Sequence, residues 1–131
     1  MTQWSFTLNH PRAPKGLNAN DRSHWRTKAR STKQVRDVVA TIVQTMPIPA
    51  VEKVRVDCVW VVNTRGKRDP DNLAPFLKAI YDAIGSDRGT SAHLVADDSP
   101  EYMEKVGATI RYEHGCTPHF IISITDIGGS E

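Results

Sequence analysis

The sequence VRVDCVWVV occupies residues 54–62, and LAPFLKAIYDAIG follows at residues 73–85. In the first stretch apolar residues alternate with polar ones and then become continuous, which predicts a central β-strand covered on both faces. In the second stretch apolar residues recur at helical spacing, with Pro75 in the first turn and Gly85 as the C-terminal stop. A strand that leads through a short basic turn into a helix is therefore the centre of the predicted fold.

Further strands and one further helix flank this unit. Alternating apolar residues predict strands at residues 4–8, 106–112 and 120–124, and the short apolar run at residues 94–96 predicts a brief strand. Helical spacing of apolar residues predicts a helix over about residues 21–44. The order β-α-β-α-(β)-β-β predicts an α+β fold, a single domain over residues 1–131 with two main helices packed on a mixed sheet. We expect residues 128–131 to form a mobile tail.

Charge is divided unevenly along the chain. Residues 1–68 contain 13 Lys and Arg against 4 Asp and Glu, a net charge of +9, whereas residues 69–131 contain 4 against 11, a net charge of −7. A basic half indicates a polyanionic partner such as DNA, because phosphates attract Lys and Arg regardless of sequence. The acidic half would repel that partner unless cations neutralised it. Ordinary charge segregation on a soluble surface explains the same composition equally well.

The composition also indicates where the protein works. The sequence has no apolar run of the roughly 20 residues that span a bilayer, so we expect no membrane contact. Its N-terminus, MTQW, lacks the basic-then-apolar plan of a signal peptide. Cys58 and Cys116 lie far apart and make no disulfide framework. These features predict a reduced, cytoplasmic protein.

The candidate chemistry lies in RGKRDPDNL, residues 65–73. Asp69 and Asp71 stand at the strand-to-helix junction, where we expect both carboxylates to point into one cleft, with Pro70 stiffening the backbone between them. Asp97 or Asp98 would supply a third. Convergent carboxylates repel one another, so they either bind protons or hold a hard cation such as Mg²⁺. Helix capping by Asp71 and an Asp/Pro turn at residues 97–100 remain open alternatives.

Several motifs of the chain resemble those of RusA-type Holliday-junction resolvases. They are RDPDNL at residues 68–73, KA at 78–79, DA at 82–83, DD at 97–98 and, more loosely, LNANDR at 17–22 and ITD at 124–126. Together these motifs extend along nearly the whole chain, and the DxDNL core with a downstream DD is the most specific of them.

The resemblance implies a homodimeric, Mg²⁺-dependent endonuclease, with Mn²⁺ as a substitute metal, that resolves four-way DNA junctions by paired symmetric nicks in recombination and repair. It implies that Asp69, Asp71 and Asp98 are catalytic and bind the metal, with Asp97 as the second choice for the third position. It also implies a catalytic role for Lys78, which follows Asp71 about one helical turn later than the family's lysine does. A bacterial or phage origin and the lack of an organic cofactor belong to the same expectation.

Basic side chains complete the predicted DNA-binding surface. We expect Arg65, Lys67 and Arg68 to hold phosphates near the cut. The front of the first helix has little apolar surface and must project into solvent or face a negative partner, so we expect it to extend the footprint. Its basic residues are Arg22, Arg26, Lys28, Arg30, Lys33 and Arg36.

Two other functions compete with this interpretation. One is a non-catalytic DNA-binding module of the same fold, in which the carboxylates serve as caps and turns. The other is a less selective nuclease for flaps or single strands. His114, Cys116 and His119 form a weaker candidate for zinc, since three ligands in one turn lack a partner motif and a loop cluster of histidines explains them better.

Overall fold

The central strand and the helix that follows it form where the two stretches predict them. A computed structural model describes residues 2–128, and these residues form four strands and two main helices. The elements are β1 Gln3–Leu8, α1 Trp25–Thr45, β2 Val54–Val62, α2 Ala74–Gly85, β3 Met103–Tyr112 and β4 His119–Asp126, with a short 3₁₀ helix at Pro70–Leu73. The predicted α+β class is confirmed. Apart from Gly128, the predicted mobile tail lies outside the described residues.

The sheet is mixed and has the order β1-β4-β2-β3. Strand β2 is central, antiparallel to β4 on one side and parallel to β3 on the other. Parallel neighbours need a crossover connection, and α2 provides it between β2 and β3. The basic turn that follows β2 therefore lies at the edge of the sheet where β2 and β3 both end.

Both helices pack on the same face of this sheet. Val54, Val56 and Cys58 point to that face, where they are buried in one core with residues of both helices. The residues between them, Arg55 and Asp57, are half-buried on the opposite face. This alternation explains why the period-two pattern in residues 54–58 predicts the strand and its orientation.

Helix α1 begins at Trp25, later than the predicted start near Asp21. The side chain of His24 caps the helix, since its Nδ1 accepts a hydrogen bond from the backbone N–H of Arg26 at 3.1 Å. Asp21 instead accepts hydrogen bonds from the backbone N–H groups of Gly16 and Ser23. The local hydrogen bonds of this aspartate hold the preceding chain as a loop, and the prediction of helix over residues 21–24 is wrong.

The brief strand predicted at residues 94–96 is also wrong. The backbone N–H of Leu94 donates to the carbonyl of Ile84 at 2.9 Å, so the segment bonds to the end of α2 instead of joining the sheet. Gly85 makes this approach possible: a Cβ there would lie 2.8 Å from the side chain of Val95 and 2.7 Å from that of Met103. Gly85 is the last residue of the helix and its role is close packing.

Candidate active site at the end of the central strand

The segment that carries the first two candidate carboxylates is capped by one of them. Asp69 has an extended backbone, and its carboxylate accepts a hydrogen bond from the backbone N–H of Asp71 at 3.0 Å. The 3₁₀ helix starts at Pro70, directly after it. Capping thus falls to Asp69, where the sequence had indicated Asp71. Asp71, in the first turn, is exposed.

The two carboxylates line neighbouring depressions that share Pro70. Asp71 lines a groove of about 660 Å³, whereas Asp69 lines a shallower depression of about 490 Å³ with Lys67 and Arg68. The two aspartates are therefore neighbours at the surface, with Pro70 bordering both depressions.

The groove beside Asp71 brings together side chains that are distant in the sequence. It runs between α2 and the edge strand β3, and its polar residues include Lys78 from α2 and Lys105 from β3. Tyr81 lines it too, and its hydroxyl accepts a hydrogen bond from the backbone N–H of Gly107 at 3.1 Å. Burial raises the pKa of the Tyr81 hydroxyl, so this phenol stays neutral near pH 7.

Asp98 joins this region through Lys105. The ammonium of Lys105 lies 3.2 Å from the Asp98 carboxylate, and the carboxyl group of Asp82 is within hydrogen-bonding reach of Asp98. Partial burial by itself raises the pKa of Asp98, but the ion pair with Lys105 favours the ionised carboxylate, and the pKa lies below its ordinary value. Lys78, in turn, lies 3.2 Å from Asp82.

The neighbouring aspartate, Asp97, has a local structural role. Hydrogen bonds from the side chain and the backbone N–H of Ser99, the latter at 2.7 Å, hold the pKa of Asp97 below its ordinary value. Asp97 thus stabilises the turn before β3, whereas Asp98 pairs with a residue that lines the groove. The turn alternative applies to the first member of the pair, and Asp98 remains the better candidate for the third carboxylate.

Three basic residues of the turn after β2 differ in how they are held. Arg68 donates to the backbone oxygen of Thr64 at 3.0 Å and to its hydroxyl at 2.8 Å, and its guanidinium lies 5.5 Å from the Trp60 ring centroid. The Arg65 guanidinium lies 4.2 Å from the Tyr112 ring centroid. Lys67 is exposed and lines the depression beside Asp69. Arg68 therefore orders the turn, while Lys67 is more available to a ligand.

The basic front of α1 and of the loop before it projects into solvent as predicted, with one exception. Its exposed members are Arg22, Arg26, Lys28, Arg30 and Lys33. Trp25 is 66% exposed beside them, with the Arg26 guanidinium 5.3 Å from its ring centroid. Arg36 is instead half-buried, donating to the backbone oxygens of Arg88 and Thr90 at 2.6 and 3.0 Å. It joins α1 to the loop after α2.

Sequence reasoning missed Lys105 and Tyr81. Lys105 stands just before a β-bulge, where Val106 is the extra residue and the register with β2 shifts between Val56 and Asp57. A simple alternating pattern cannot indicate which way a side chain points beside such a bulge. Gly107, with a φ of +93°, is the one local signal in the sequence, because a glycine inside a strand often marks a bulge.

Oxygen ligands of the kind that Mg²⁺ prefers are present, but they are not gathered into a cluster. Among residues 2–128, no three His, Cys, Asp or Glu side chains are close enough to hold a metal ion together, and this includes His114, Cys116 and His119. Mg²⁺ is commonly held by one or two carboxylates plus water and substrate phosphate oxygens. The chemistry of Asp69 and Asp71 therefore suits this ion without a third ligand from the protein.

Comparisons with known proteins leave the family of the chain open. No protein-family model matches it, and no curated protein sequence does either. No helix within residues 2–128 has the length and apolar character needed to cross a membrane.

Proposed function

We propose that the protein is a Mg²⁺-dependent endonuclease that cuts branched DNA, with the four-way Holliday junction as its substrate. The observation that supports this most directly is the groove that the exposed Asp71 lines together with Lys78 and Lys105. Carboxylates for a hard cation beside cations for a phosphodiester are what metal-assisted phosphate hydrolysis requires.

In this proposal Asp69 and Asp71 hold Mg²⁺ and Asp98 supplies the third carboxylate; Mn²⁺ would serve the same positions. When bound, the metal supplies charge stabilisation for the phosphodiester and activates the attacking water. Asp98 must first release Lys105, whose ammonium now neutralises it at 3.2 Å. Lys78, whose side chain is 76% exposed, has the reach to bind a phosphate oxygen from α2.

The remaining basic residues account for the DNA-binding surface. Lys67 would contact phosphate beside Asp69, with Arg65 and Arg68 shaping the turn that presents it. Arg22, Arg26, Lys28 and Arg30 would extend the contact along the duplex arm, since phosphate contacts give affinity without sequence preference. A four-way junction has approximate two-fold symmetry, so paired cuts call for a homodimer with one site per chain. The resemblance to RusA-type resolvases supports the junction as the substrate.

A non-catalytic DNA-binding module is the second candidate. The cap formed by Asp69 and the lack of a three-carboxylate cluster within residues 2–128 favour it. Against it, helix capping by Asp69 does not account for the exposed Asp71 or for the ion pair between Asp98 and Lys105. A less selective nuclease for flaps or single strands would use the same groove.

A single assay separates these candidates. Synthetic four-way junction, flap and linear duplex of equal length are incubated with the protein, with and without Mg²⁺. We expect paired symmetric nicks in the junction only, and only with Mg²⁺. Binding of the junction without any cleavage in Mg²⁺ or Mn²⁺ would establish the non-catalytic module, and equal cutting of flaps would establish the less selective nuclease.

A further inference from the structure

The side chain of Lys105 starts from the helix-covered face of the sheet. Lys105 pairs in register with Val56, whose side chain is buried on the helix-covered face of the sheet. A lysine on that face must turn its charge toward water. Lys105 lines the groove, where its charge has access to water.

A β-bulge directly follows Lys105 in β3. Val106 is the extra residue, and the backbone N–H of Gly107 donates to the hydroxyl of Tyr81 at 3.1 Å. The Lys105 ammonium lies 5.5 Å from the centroid of the same tyrosine ring. Bulges commonly re-aim a side chain at the rim of a site, and here Tyr81 and Gly107 hold the edge strand so that Lys105 faces the groove.

Each of the two lysines that line the groove belongs to an ion pair, and in both pairs the lysine is the more exposed partner. Lys78 pairs with Asp82, and the two side chains are 76% and 14% exposed. Lys105 pairs with Asp98, and these side chains are 37% and 26% exposed. In each pair the ammonium group is therefore more accessible to an anion in the groove than the carboxylate is.

We infer that Lys105 is a phosphate-binding residue and forms, with Lys78, a two-lysine site for one phosphodiester of the DNA beside Asp71. This inference rests on the proposed function, because it takes the groove to be where the DNA lies. It adds a substrate contact from β3, an element to which the candidate motifs of the sequence assign no role. Tyr81 acts as a positioning residue by fixing the bulge.

The test measures binding of a fluorescent four-way junction in EDTA, over a range of NaCl concentrations. Lys105→Gln should weaken binding about tenfold at low salt and reduce the slope of log Kd against log salt by about one unit. Lys105→Arg, which keeps the charge, should restore both. Arg55→Gln is the matched control: Arg55 is 36% exposed, lies 3.3 Å from Glu104, and sits on the opposite face of the sheet. It should leave the slope unchanged.

A double variant, Lys105→Gln with Asp98→Asn, separates phosphate contact from simple neutralisation of Asp98. If Lys105 only masks that carboxylate, the double variant regains the wild-type slope, and the inference is overturned. It is also overturned if Lys105→Gln keeps the wild-type slope, or if Arg55→Gln loses as much. A parallel cleavage assay with wild-type protein in Mg²⁺ tests the proposed nuclease separately. If wild-type protein does not cleave but Lys105→Gln has a reduced salt slope, only the proposed nuclease is rejected. If wild-type protein cleaves the junction but Lys105→Gln keeps the wild-type slope, only the inference about Lys105 is rejected.

Discussion

At Asp69 a single carboxylate caps the 3₁₀ helix and is also accessible to a ligand. One oxygen accepts the N–H of Asp71, and the side chain lines a depression with Lys67. A carboxylate oxygen has more than one acceptor position, so capping and metal binding are compatible. Helix capping and metal binding, which stood as alternatives in the sequence, can therefore both be functions of this one side chain.

Stability measurements on Asp69 variants test the cap. Asp69→Ala should lower the free energy of unfolding by about 1 kcal/mol, because it removes the acceptor for the N–H of Asp71. Asp69→Asn keeps an acceptor and should stay close to wild type. Urea denaturation checks both, with Asp71→Ala as the control for loss of an exposed carboxylate. If Asp69→Ala is no less stable than Asp69→Asn and Asp71→Ala, the cap contributes nothing to the free energy of unfolding.

At the scale of elements, patterns that depend on neighbours in sequence were predictable and those set by other elements were not. Strand β2 and helix α2 follow from the spacing of Val54, Val56, Phe76 and Ile80, all of which are buried. The segment at residues 94–96 has the apolar residues of a strand, yet the close approach permitted by Gly85 binds it to α2. That competition depends on tertiary contacts, which no local pattern contains.

The candidate site divides in the same way. Asp69, Asp71 and Lys78 lie close in sequence on one turn and helix, and their motif was visible. Lys105 reaches the groove because the register of β3 shifts at a bulge, and the groove itself needs α2 packed beside that strand. Register and packing of an edge strand are properties of the folded sheet, so this part of the site could not be predicted from the sequence.

The basic residues at the exposed front of α1 allow a separate test of the proposed DNA-binding surface. Arg26→Gln and Arg30→Gln should each weaken junction binding and lower the salt slope by about one unit, if each side chain contacts a phosphate. Fluorescence anisotropy at several salt concentrations measures this, with Arg55→Gln as the control for loss of one positive charge elsewhere. Unchanged slopes would confine the DNA to the groove and the turn after β2.

For the whole molecule, the loop before α1 links pH to stability. Hydrogen bonds from the Ser23 hydroxyl and from the backbone N–H of Gly16 hold the pKa of Asp21 below its ordinary value. A carboxyl whose pKa is lowered on folding stabilises the fold above its unfolded-state pKa of about 3.9, and this stability is lost as the pH falls through the folded-state pKa. Asp21→Asn should therefore reduce stability at pH 6 and flatten its decline below about pH 4. Thermal unfolding from pH 6 to pH 2 measures both, and a wild-type pH profile in the variant would contradict this account.

Assembly is the second prediction at this scale. Two opposed cuts in a junction need two copies of Asp71 and its groove, and each chain has one, so we expect a two-fold symmetric dimer. Sedimentation velocity at the concentrations used for cleavage should show a species of twice the 14.6 kDa chain mass. A monomer that still makes paired nicks would contradict the proposed geometry.

The most direct test of the central claim is the cleavage rate of a synthetic four-way junction in Mg²⁺ by Asp71→Asn, measured beside wild type and beside junction binding in EDTA. Asn keeps the size of the side chain and removes the charge proposed to hold the metal. The account predicts a loss of cleavage by orders of magnitude, with junction affinity equal or higher because a negative charge that faces phosphate is gone. Asp69→Asn and Asp98→Asn should behave alike, and Asp97→Asn, which alters a turn, should be milder. Cleavage at the wild-type rate by all four variants would mean that these carboxylates are caps and turns, and that the proposed nuclease site does not exist.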